Sequence, residues 1–202
     1  MITEHKINKS ENFICGYYDD DYSMIDEILE FYNNHTEKSQ GKILFADNQA
    51  TVDPEIKLST EISLEYNTDL MTRYLRVYLQ PKLLKYIERY SYANNYSPWS
   101  VVESINIQQY QPKEGYFSWH TERTMAWSTA TNRHLVFMTY LNDVTDEGET
   151  EFYYQKCKIK PEKGLTLFWP TDWTFTHRGI PSKTQTKYIV TGWYSYIKNS
   201  QV

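Results

Sequence analysis

The second half of the chain is a series of short runs rich in β-branched and aromatic residues. Turn-forming segments separate these runs, among them QPKEG, DVTDEGE, KPEKG and RGIPSKTQ. Runs of this length and composition are typical of β-strands joined by turns. Many short strands in succession favour a sandwich or a barrel. The predicted strands are Val101–Tyr110, Tyr116–His120, Arg133–Leu141, Glu151–Tyr153, Leu165–Phe168, Thr174–His177 and Lys187–Tyr196.

The first half of the chain has apolar residues at helical spacing instead. The segment SMIDEILEFY, Ser23–Tyr32, begins with a capping residue and carries Ile28 and Phe31 near that spacing, which predicts a helix. Thr68–Tyr92 predicts one or two further helices, because Pro81 either kinks a helix or occupies its first position. The stripe expected to be buried there is Leu70, Tyr74, Val77, Leu84 and Ile87.

The order of these elements predicts helices first and a β core second. A chain of 202 residues is long enough for one sizeable core, so we expect a single domain over residues 1–202. Its helical N-terminal part is predicted over about 1–95 and its β core over about 96–198. We expect the helices to pack on the outside of one sheet.

Charge and cysteine content narrow the class of protein. The formal net charge of −5 gives no general attraction to nucleic acid or to an anionic membrane surface. Two cysteines, Cys15 and Cys157, cannot build a disulfide framework or a cysteine zinc cluster, which predicts a reducing interior. The N-terminus MITEHKINKSENF lacks the apolar run of a secretory signal, and no run of 18 apolar residues occurs. We therefore expect a cytoplasmic protein.

The hexapeptide SWHTER, Ser118–Arg123, places an imidazole and a carboxylate two residues apart. In a strand, residues i and i+2 point to the same face, so His120 and Glu122 are expected to project together. Both side chains are ligands for divalent metals. Two ligands make a poor site, and a third must come from elsewhere in the chain.

His177 is the candidate third ligand, at the end of LFWPTDWTFTH and just before the turn RGIPS. A sheet that closes on itself, such as an antiparallel double sheet, would bring it to His120. Two histidines and one carboxylate on one side of a metal leave open positions for a bidentate cosubstrate and dioxygen, which suits non-haem Fe(II).

Lys187 opens the otherwise apolar strand KYIVTGWY. Counting by twos, Lys187, Ile189, Thr191 and Trp193 share one face, and both faces are apolar enough to be covered. A buried ammonium without an anion is costly, so a cation at this position indicates that an anion will meet it. A dicarboxylate cosubstrate that binds the metal at one end would bring that anion at its other end.

These pieces together resemble the Fe(II)/2-oxoglutarate-dependent dioxygenases, and within them the prolyl 4-hydroxylase-like branch. The matching motifs are H-x-E at His120 and Glu122, FMTYLNDV with EGETEF at Glu147–Phe152, GLTLFWPTDWTFTH up to His177, and KYIVTGWY from Lys187. Their order and spacing agree with the family over residues 101–196, about half of the chain.

The resemblance implies a double-stranded β-helix, the jelly roll of cupin-like proteins, with the metal at its open end. It implies metal ligation by His120, Glu122 and His177, and a contact of Lys187 with the distal carboxylate of 2-oxoglutarate. Around the cosubstrate it implies Tyr110, Tyr140 and Trp193. The branch usually carries Asp where Glu122 stands, which weakens any inference of its substrate from the prolyl hydroxylases.

The activity implied is hydroxylation of a C–H bond with Fe(II), 2-oxoglutarate and O2 and release of succinate and CO2, with ascorbate as a reductant. The substrate is a prolyl or other peptidyl side chain or a small metabolite. Nucleobase dealkylation is disfavoured, because the chain is acidic and lacks paired arginines after His177. Two alternatives stay open: a metal-dependent hydrolase or isomerase, and a non-catalytic jelly-roll binding module.

Individual assignments also have alternatives. His120 and Glu122 can be a solvated pair beside an edge strand, and His177 can simply bond to a nearby carbonyl. His134 competes as a ligand, although lining the pocket or capping its strand is the favoured interpretation. Lys187 can be a surface lysine, with Lys183 taking its place.

Overall fold

The computed structural model describes residues 1–7, 12–44, 50–124 and 129–197. Three α-helices lie in these ranges, α1 (Ser23–Asn34), α2 (Asp69–Arg73) and α3 (Gln80–Arg89). A six-residue π-helical segment, Tyr74–Leu79, joins α2 to α3 without a break. Short 3₁₀ segments are Ser91–Asn94, Thr129–Asn132 and Trp173–Phe175.

The strands of the described residues are short, and each is antiparallel to the strands beside it. In the first hundred residues they are β1 (Thr3–His5), β2 (Cys15–Tyr18), β3 (Ser39–Gln40), β4 (Ile43–Leu44), β5 (Ala50–Thr51), β6 (Thr60–Leu64) and β7 (Trp99–Ser100). They continue with β8 (Ile105–Tyr110), β9 (Arg133–Tyr140), β10 (Thr150–Phe152), β11 (Cys157–Ile159), β12 (Thr166–Pro170), β13 (His177–Gly179) and β14 (Lys187–Tyr196).

Two antiparallel sheets build the core. Over the ranges described, the larger sheet has nine strands in the order β1-β2-β12-β9-β14-β8-β6-β3, with β7 added beside β14. The smaller has the order β11-β10-β13. A hairpin of β4 and β5 stands apart. This is the predicted mainly β fold, a double-stranded β-helix with helices on one sheet.

Alternation along the central strands gives the large sheet two different faces. On its outer face, Phe137, Phe168 and Val190 pack in one cluster with residues of α1 and α3 such as Ile28 and Tyr86. On its inner face, a second cluster faces the small sheet and includes Val136, Met138, Leu167, Trp169 and Ile189. The helices therefore cover one face, and the other face is left to line the interior between the sheets.

Several element boundaries differ from the prediction. The segment Tyr116–His120 forms no regular strand; only isolated bridges occur, at Tyr116 and at His120. The strand predicted at 174–177 instead begins at His177, after a 3₁₀ turn. The first 95 residues also contribute β1, β2, β3 and β6 to the large sheet. The single-domain assignment and its division near residue 95 stay predictions.

The prediction of which residues form the buried stripe of the second helical region was partly wrong. Tyr74 is fully buried, but Val77 and Leu84 are 68% and 56% exposed, and Lys82 is fully buried in their place. The π-helical segment Tyr74–Leu79 is the cause, because its wider turn shifts the phase of the residues within it and after it. No helix among the described residues is long and apolar enough to cross a membrane.

Candidate metal centre

Three side chains far apart in the sequence meet at one end of the space between the sheets. Nε2 of His177 lies 3.3 Å from Oε1 of Glu122, and Nε2 of His120 lies 3.8 Å from the same oxygen. One ligand atom from each of the three residues lies within 4.8 Å of the other two. The structure therefore brings together the two-histidine, one-carboxylate set that the sequence predicted.

Backbone pairing holds the two histidines side by side. His120 N donates to His177 O at 3.0 Å, and His177 N donates to His120 O at 2.9 Å. This antiparallel bridge attaches the segment before Glu122 to the start of β13. After the bridge the chain bends, so Glu122 reaches the histidines by a turn of the backbone rather than by the i, i+2 alternation of a strand.

The orientation of both imidazoles is fixed by their second nitrogens. Nδ1 of His120 lies 3.0 Å from Ser118 O, and Nδ1 of His177 lies 2.9 Å from Phe175 O. A carbonyl only accepts, so each Nδ1 carries the hydrogen and each Nε2 keeps a lone pair directed at the shared point. Burial, together with the neighbouring His177, lowers the pKa of His120 to about 3, so this ring is neutral at physiological pH.

The two oxygens of Glu122 have different surroundings. Oε1 faces the histidines, whereas Oε2 accepts a hydrogen bond from Trp193 Nε1 at 3.0 Å and lies 3.6 Å from Arg133 Nη1. Burial alone would raise the pKa of Glu122, but the two histidines and Arg133 hold it at about 2. A carboxylate is therefore present with one oxygen held by the protein and one left for a ligand.

Arg133 connects this carboxylate to a wider network. Its guanidinium stacks on the Trp193 ring at 3.5 Å and contacts Glu103 Oε2 through Nη2 at 2.7 Å. Nη1 also donates to the backbone oxygen of Glu122 at 3.1 Å. These contacts fix Glu122 at both its backbone and its side chain, which is the usual arrangement around a metal-binding carboxylate.

Lys187 is buried, with 4% of its surface exposed. Its Nζ donates to Gly148 O at 2.9 Å and lies 5.1 Å from the centre of the Tyr110 ring. Burial lowers its pKa to about 8, with Glu149 acting in the opposite direction. In the ranges that the structure describes, no carboxylate forms an ion pair with this ammonium, so it is a buried cation without an anion. Lys183, its sequence alternative, is exposed and pairs with Glu147 at 2.6 Å.

The seven predicted site residues line one cavity of about 340 Å³, a size suited to a small ligand. On β14 the inward face is the predicted one, formed by Lys187, Ile189, Thr191 and Trp193. The predicted site residues in its wall are His120, Glu122, His177, Lys187, Tyr110, Tyr140 and Trp193. Their proximity is a finding, whereas their roles in binding and catalysis stay predictions.

The two predicted tyrosines are already hydrogen-bonded. Tyr140 OH lies 2.6 Å from Thr150 Oγ1, and Tyr110 OH donates to Gln108 Oε1 at 2.7 Å. Both phenols have raised pKa values, chiefly because of burial, so both are protonated hydroxyls at neutral pH. They present rigid, uncharged polar groups to the cavity near Lys187.

The site fits a metal and an anionic cosubstrate. Its three donors converge from one side, as the facial arrangement around Fe(II) requires. Trp169 supplies a second indication: its indole lines the cavity, and within the described residues its buried Nε1 has no hydrogen-bond partner. A buried donor of this kind is normally satisfied, and an oxygen of a bound ligand would satisfy it.

His134 is not part of this site. Its Nε2 lies 2.8 Å from Ala93 O, and its ring packs beside Trp99 and Tyr196. It is a satisfied histidine outside the cavity, not a fourth ligand.

Sequence reasoning missed several residues of the cavity wall. They include Lys57, Glu61, Tyr116, Arg133 and Trp169. Trp169 directly follows the predicted strand Leu165–Phe168 and continues its alternation with Leu165 and Leu167, which was a usable signal. Tyr116 stacks on His120 with ring centres 3.6 Å apart, but this contact depends on the irregular backbone between them and has no local signature.

Comparison with known proteins agrees with this geometry. Residues 105–195 match the family model described as the 2OG-Fe(II) oxygenase superfamily. No curated protein sequence matches the chain. Many solved structures do, at low sequence identity.

One similar structure is the viral collagen prolyl hydroxylase of Paramecium bursaria Chlorella virus-1 in complex with 2OG, with 16% identity and a TM-score of 0.64; the alignment covers 93% of this chain and 98% of that one. A prolyl hydroxylase of Trichoplax adhaerens, in complex with a peptide fragment of hypoxia inducible factor, is 16% identical, with a TM-score of 0.69; the alignment covers 92% of this chain and 84% of that one. A prolyl 4-hydroxylase of Pseudomonas putida is 11% identical, with a TM-score of 0.64; the alignment covers 93% of this chain and 95% of that one.

At these identities the structural likeness establishes the fold, and the family match establishes the class of the core segment. The predicted double-stranded β-helix is thereby confirmed. The predicted enzyme class, a 2-oxoglutarate-dependent oxidoreductase, is confirmed for residues 105–195, the segment that matches the family model.

Proposed function

We propose a function from the premise that residues 105–195 of this chain belong to the 2OG-Fe(II) oxygenase superfamily. The protein hydroxylates a C–H bond of its substrate and consumes one 2-oxoglutarate and one O2. One oxygen atom enters the substrate as a hydroxyl group, and the other enters succinate as CO2 is released. Of the four electrons that reduce O2, two come from the oxidative decarboxylation of 2-oxoglutarate and two from the C–H bond of the substrate.

The convergence of His120, Glu122 and His177 carries this proposal. These residues would hold Fe(II), because two imidazole nitrogens and a carboxylate oxygen point at one place within 4.8 Å of each other. Bound iron supplies the means to activate O2 and to break a C–H bond. The protein fixes the donor positions through the Nδ1 hydrogen bonds of both histidines and the Trp193 bond to Glu122.

Lys187 would bind the distal carboxylate of 2-oxoglutarate. Its ammonium is buried without a counter-charge in the described chain, and it shares the cavity with the three metal donors. The hydrogen bond to Gly148 O orients Nζ, and the Tyr140–Thr150 hydroxyl pair offers polar contacts in the same cavity. A zinc hydrolase or a binding module without cosubstrate has no use for this unpaired cation, so Lys187 favours the oxygenase.

Trp169 and Trp193 form part of the cavity wall, and the rings exclude water from the reacting atoms. The substrate is a prolyl or other peptidyl side chain, or a small metabolite. The Trichoplax neighbour, which binds a peptide fragment of hypoxia inducible factor, supports the peptidyl option. Ascorbate as a reductant and a cytoplasmic location complete the proposal; two free cysteines, Cys15 and Cys157, support the location.

Anaerobic titration of the Fe(II)-loaded protein with 2-oxoglutarate tests the proposal. We expect a weak visible charge-transfer band, its loss in His120→Ala, and an affinity lower by about 30-fold or more in Lys187→Met, since one partner of a buried charge pair is removed. Lys183→Met is the matched control and should titrate like the parent protein. A protein that binds Fe(II) but gives no band, or one in which both lysine variants behave alike, would contradict the proposal.

A further inference from the structure

The metal-site cavity contains a second charged element, which the proposed function does not use. Lys57 and Glu61 are 5% and 7% exposed, and Lys57 Nζ lies 2.5 Å from Glu61 Oε1. Both side chains line the same cavity as the three metal donors. The cavity wall therefore contains a buried ion pair at positions where proteins usually have apolar side chains.

The position of this pair follows from the fold. Lys57 bridges to Tyr116, and Phe117 N donates to Ile56 O at 2.8 Å, so the Lys57 segment runs beside the segment that leads to His120. Glu61 lies four residues later in β6, opposite Gln108 of β8 in the large sheet. The pair therefore spans the junction between the metal-ligand segment and the inner face of the large sheet.

The Tyr116 ring connects this pair to the metal donors. One contact of this ring is with His120, with centres 3.6 Å apart and planes 7° apart. Another is with Lys57 Nζ, 5.6 Å from the ring centre. A ligand whose head group meets Lys57 and Glu61 would extend along this ring, and its carbon skeleton would point toward the metal donors.

Stability does not explain the ion pair. Replacing a buried ion pair by apolar side chains of similar size is often neutral or stabilising, because desolvation offsets the attraction. The pair also keeps unused bonding capacity. Lys57 Nζ and Ser59 Oγ, the latter at 2.7 Å, both contact Oε1 of Glu61. Within the described residues Oε2 has no hydrogen-bond donor, so its lone pairs are available to a ligand. Among the residues that the structure describes, Lys57 uses one of its three N–H groups on Glu61 and has no other hydrogen-bond acceptor.

Such an ion pair complements a ligand that carries one anionic and one cationic group. The ligand anion would meet the lysine, and the ligand cation would meet the glutamate. We propose that Lys57 and Glu61 bind the head group of a small zwitterionic substrate, a free α-amino acid. Lys57 binds the α-carboxylate, and Glu61 binds the α-ammonium through Oε2. A peptide-bonded residue has neither charge at this position. The inference rests on the proposed function and names its substrate class.

The test offers the enzyme, with Fe(II), 2-oxoglutarate and O2, a panel of L-α-amino acids in three forms: free, N-acetylated and carboxamide-capped. Formation of succinate and of a product with one added oxygen atom is measured for each. We expect at least one free amino acid to be hydroxylated, and each cap to lower kcat/KM by about 30-fold or more, since each cap removes one charge from a buried pair.

Variants assign the two charges separately. In Glu61→Gln, N-acetylation should lower kcat/KM less than it does in the parent protein, whereas the effect of the carboxamide cap should be unchanged. In Lys57→Met, the carboxamide cap should lower kcat/KM less, whereas the effect of N-acetylation should be unchanged. The double variant Lys57→Met/Glu61→Met removes the pair without leaving one buried charge, so it should fold and keep its 2-oxoglutarate charge-transfer band while losing amino-acid hydroxylation. The control is Lys85→Met/Glu88→Met, the same exchange at an exposed ion pair on α3.

The outcomes separate this inference from the proposed function. A capped amino acid or a peptide hydroxylated as well as the free form would overturn the inference. So would a normal charge-transfer band with no hydroxylation of any free amino acid, a result that leaves the proposed function in place. If the band itself is absent, the proposed function fails and the inference fails with it.

Discussion

The indole nitrogen of Trp193 donates a hydrogen bond to Oε2 of Glu122 at 3.0 Å, while Oε1 of the same carboxylate faces His120 and His177. This division assigns one oxygen to the protein and one to a metal. The branch that the sequence motifs resemble is expected to carry aspartate here, and the two contacts of Glu122 give a reason for glutamate. Its Oε2 meets Trp193 on β14 while its Oε1 meets the histidines.

The Trp193–Glu122 bond should be measurable as coupling between two substitutions. Trp193→Phe removes the N–H donor but keeps a ring, and we expect the affinity for Co(II), a surrogate for Fe(II), to fall about 10-fold or more. In the Glu122→Asp background the same change should have little further effect, because the shorter carboxylate no longer reaches the indole.

Co(II) titration of the four proteins of this double-mutant cycle gives the coupling directly. Trp173→Phe, at a tryptophan that is 64% exposed, is the control and should leave Co(II) affinity unchanged. Strictly additive losses in the cycle would show that the hydrogen bond does not position the carboxylate.

Lys187→Met should stabilise the protein in the absence of 2-oxoglutarate. The ammonium is 4% exposed and bonds to a neutral carbonyl, so its burial opposes folding. We expect a gain of about 1–3 kcal/mol in the free energy of unfolding, measured by urea denaturation. Saturating 2-oxoglutarate should reverse the order of the two proteins, because it stabilises the parent chain much more than the variant. A variant less stable than its parent without ligand would count against an unpaired cation at this position.

The same lysine predicts two pH effects of opposite sign. Its pKa is about 8 in the folded chain against the ordinary value of 10.5, so between these values the unfolded chain binds a proton that the folded chain has lost. Stability of the ligand-free protein should therefore rise with pH in this window, by about 3 kcal/mol if it is crossed completely. Affinity for 2-oxoglutarate should fall over the same range, because the ammonium loses its charge.

Denaturation and 2-oxoglutarate titration at several pH values from about 7 to 9.5, before most tyrosines ionise, measure both slopes. Each slope is taken as the difference between the parent and Lys187→Met, which removes the contributions of other groups. Two slopes of the same sign would show that Lys187 is not the titrating group.

Gly192 is required by packing rather than by backbone conformation. A Cβ atom at this position in β14 would lie 2.4 Å from Cζ of Phe137, a ring buried between the sheet and the helices. Gly192→Ala should therefore cost about 1–3 kcal/mol in the free energy of unfolding. Gly179→Ala in β13, where the nearest atom is 3.4 Å away, is the control and should cost much less. Equal losses in thermal or urea denaturation would contradict this account.

The sequence by itself determined the class of fold and the kind of chemistry. Strand patterns are local, so β9 and β14 lie close to where alternation and turns predicted them. The candidate ligands stood out because His120, Glu122 and Lys187 are residue types that a β core rarely contains without a reason. The family resemblance of the motifs supplied the rest of the prediction.

Only the tertiary structure decided which side chains support those residues. Two of these contacts, the Trp193–Glu122 hydrogen bond and the stacking of Arg133 on Trp193, join segments that are distant in the sequence. The Lys57–Glu61 pair is local, but it depends on how the chain enters β6. The physical reason is that residue periodicity reports which way a side chain points relative to its own strand or helix. Which partner it meets depends on the pairing of distant strands, and that pairing is set by the packing of the whole chain.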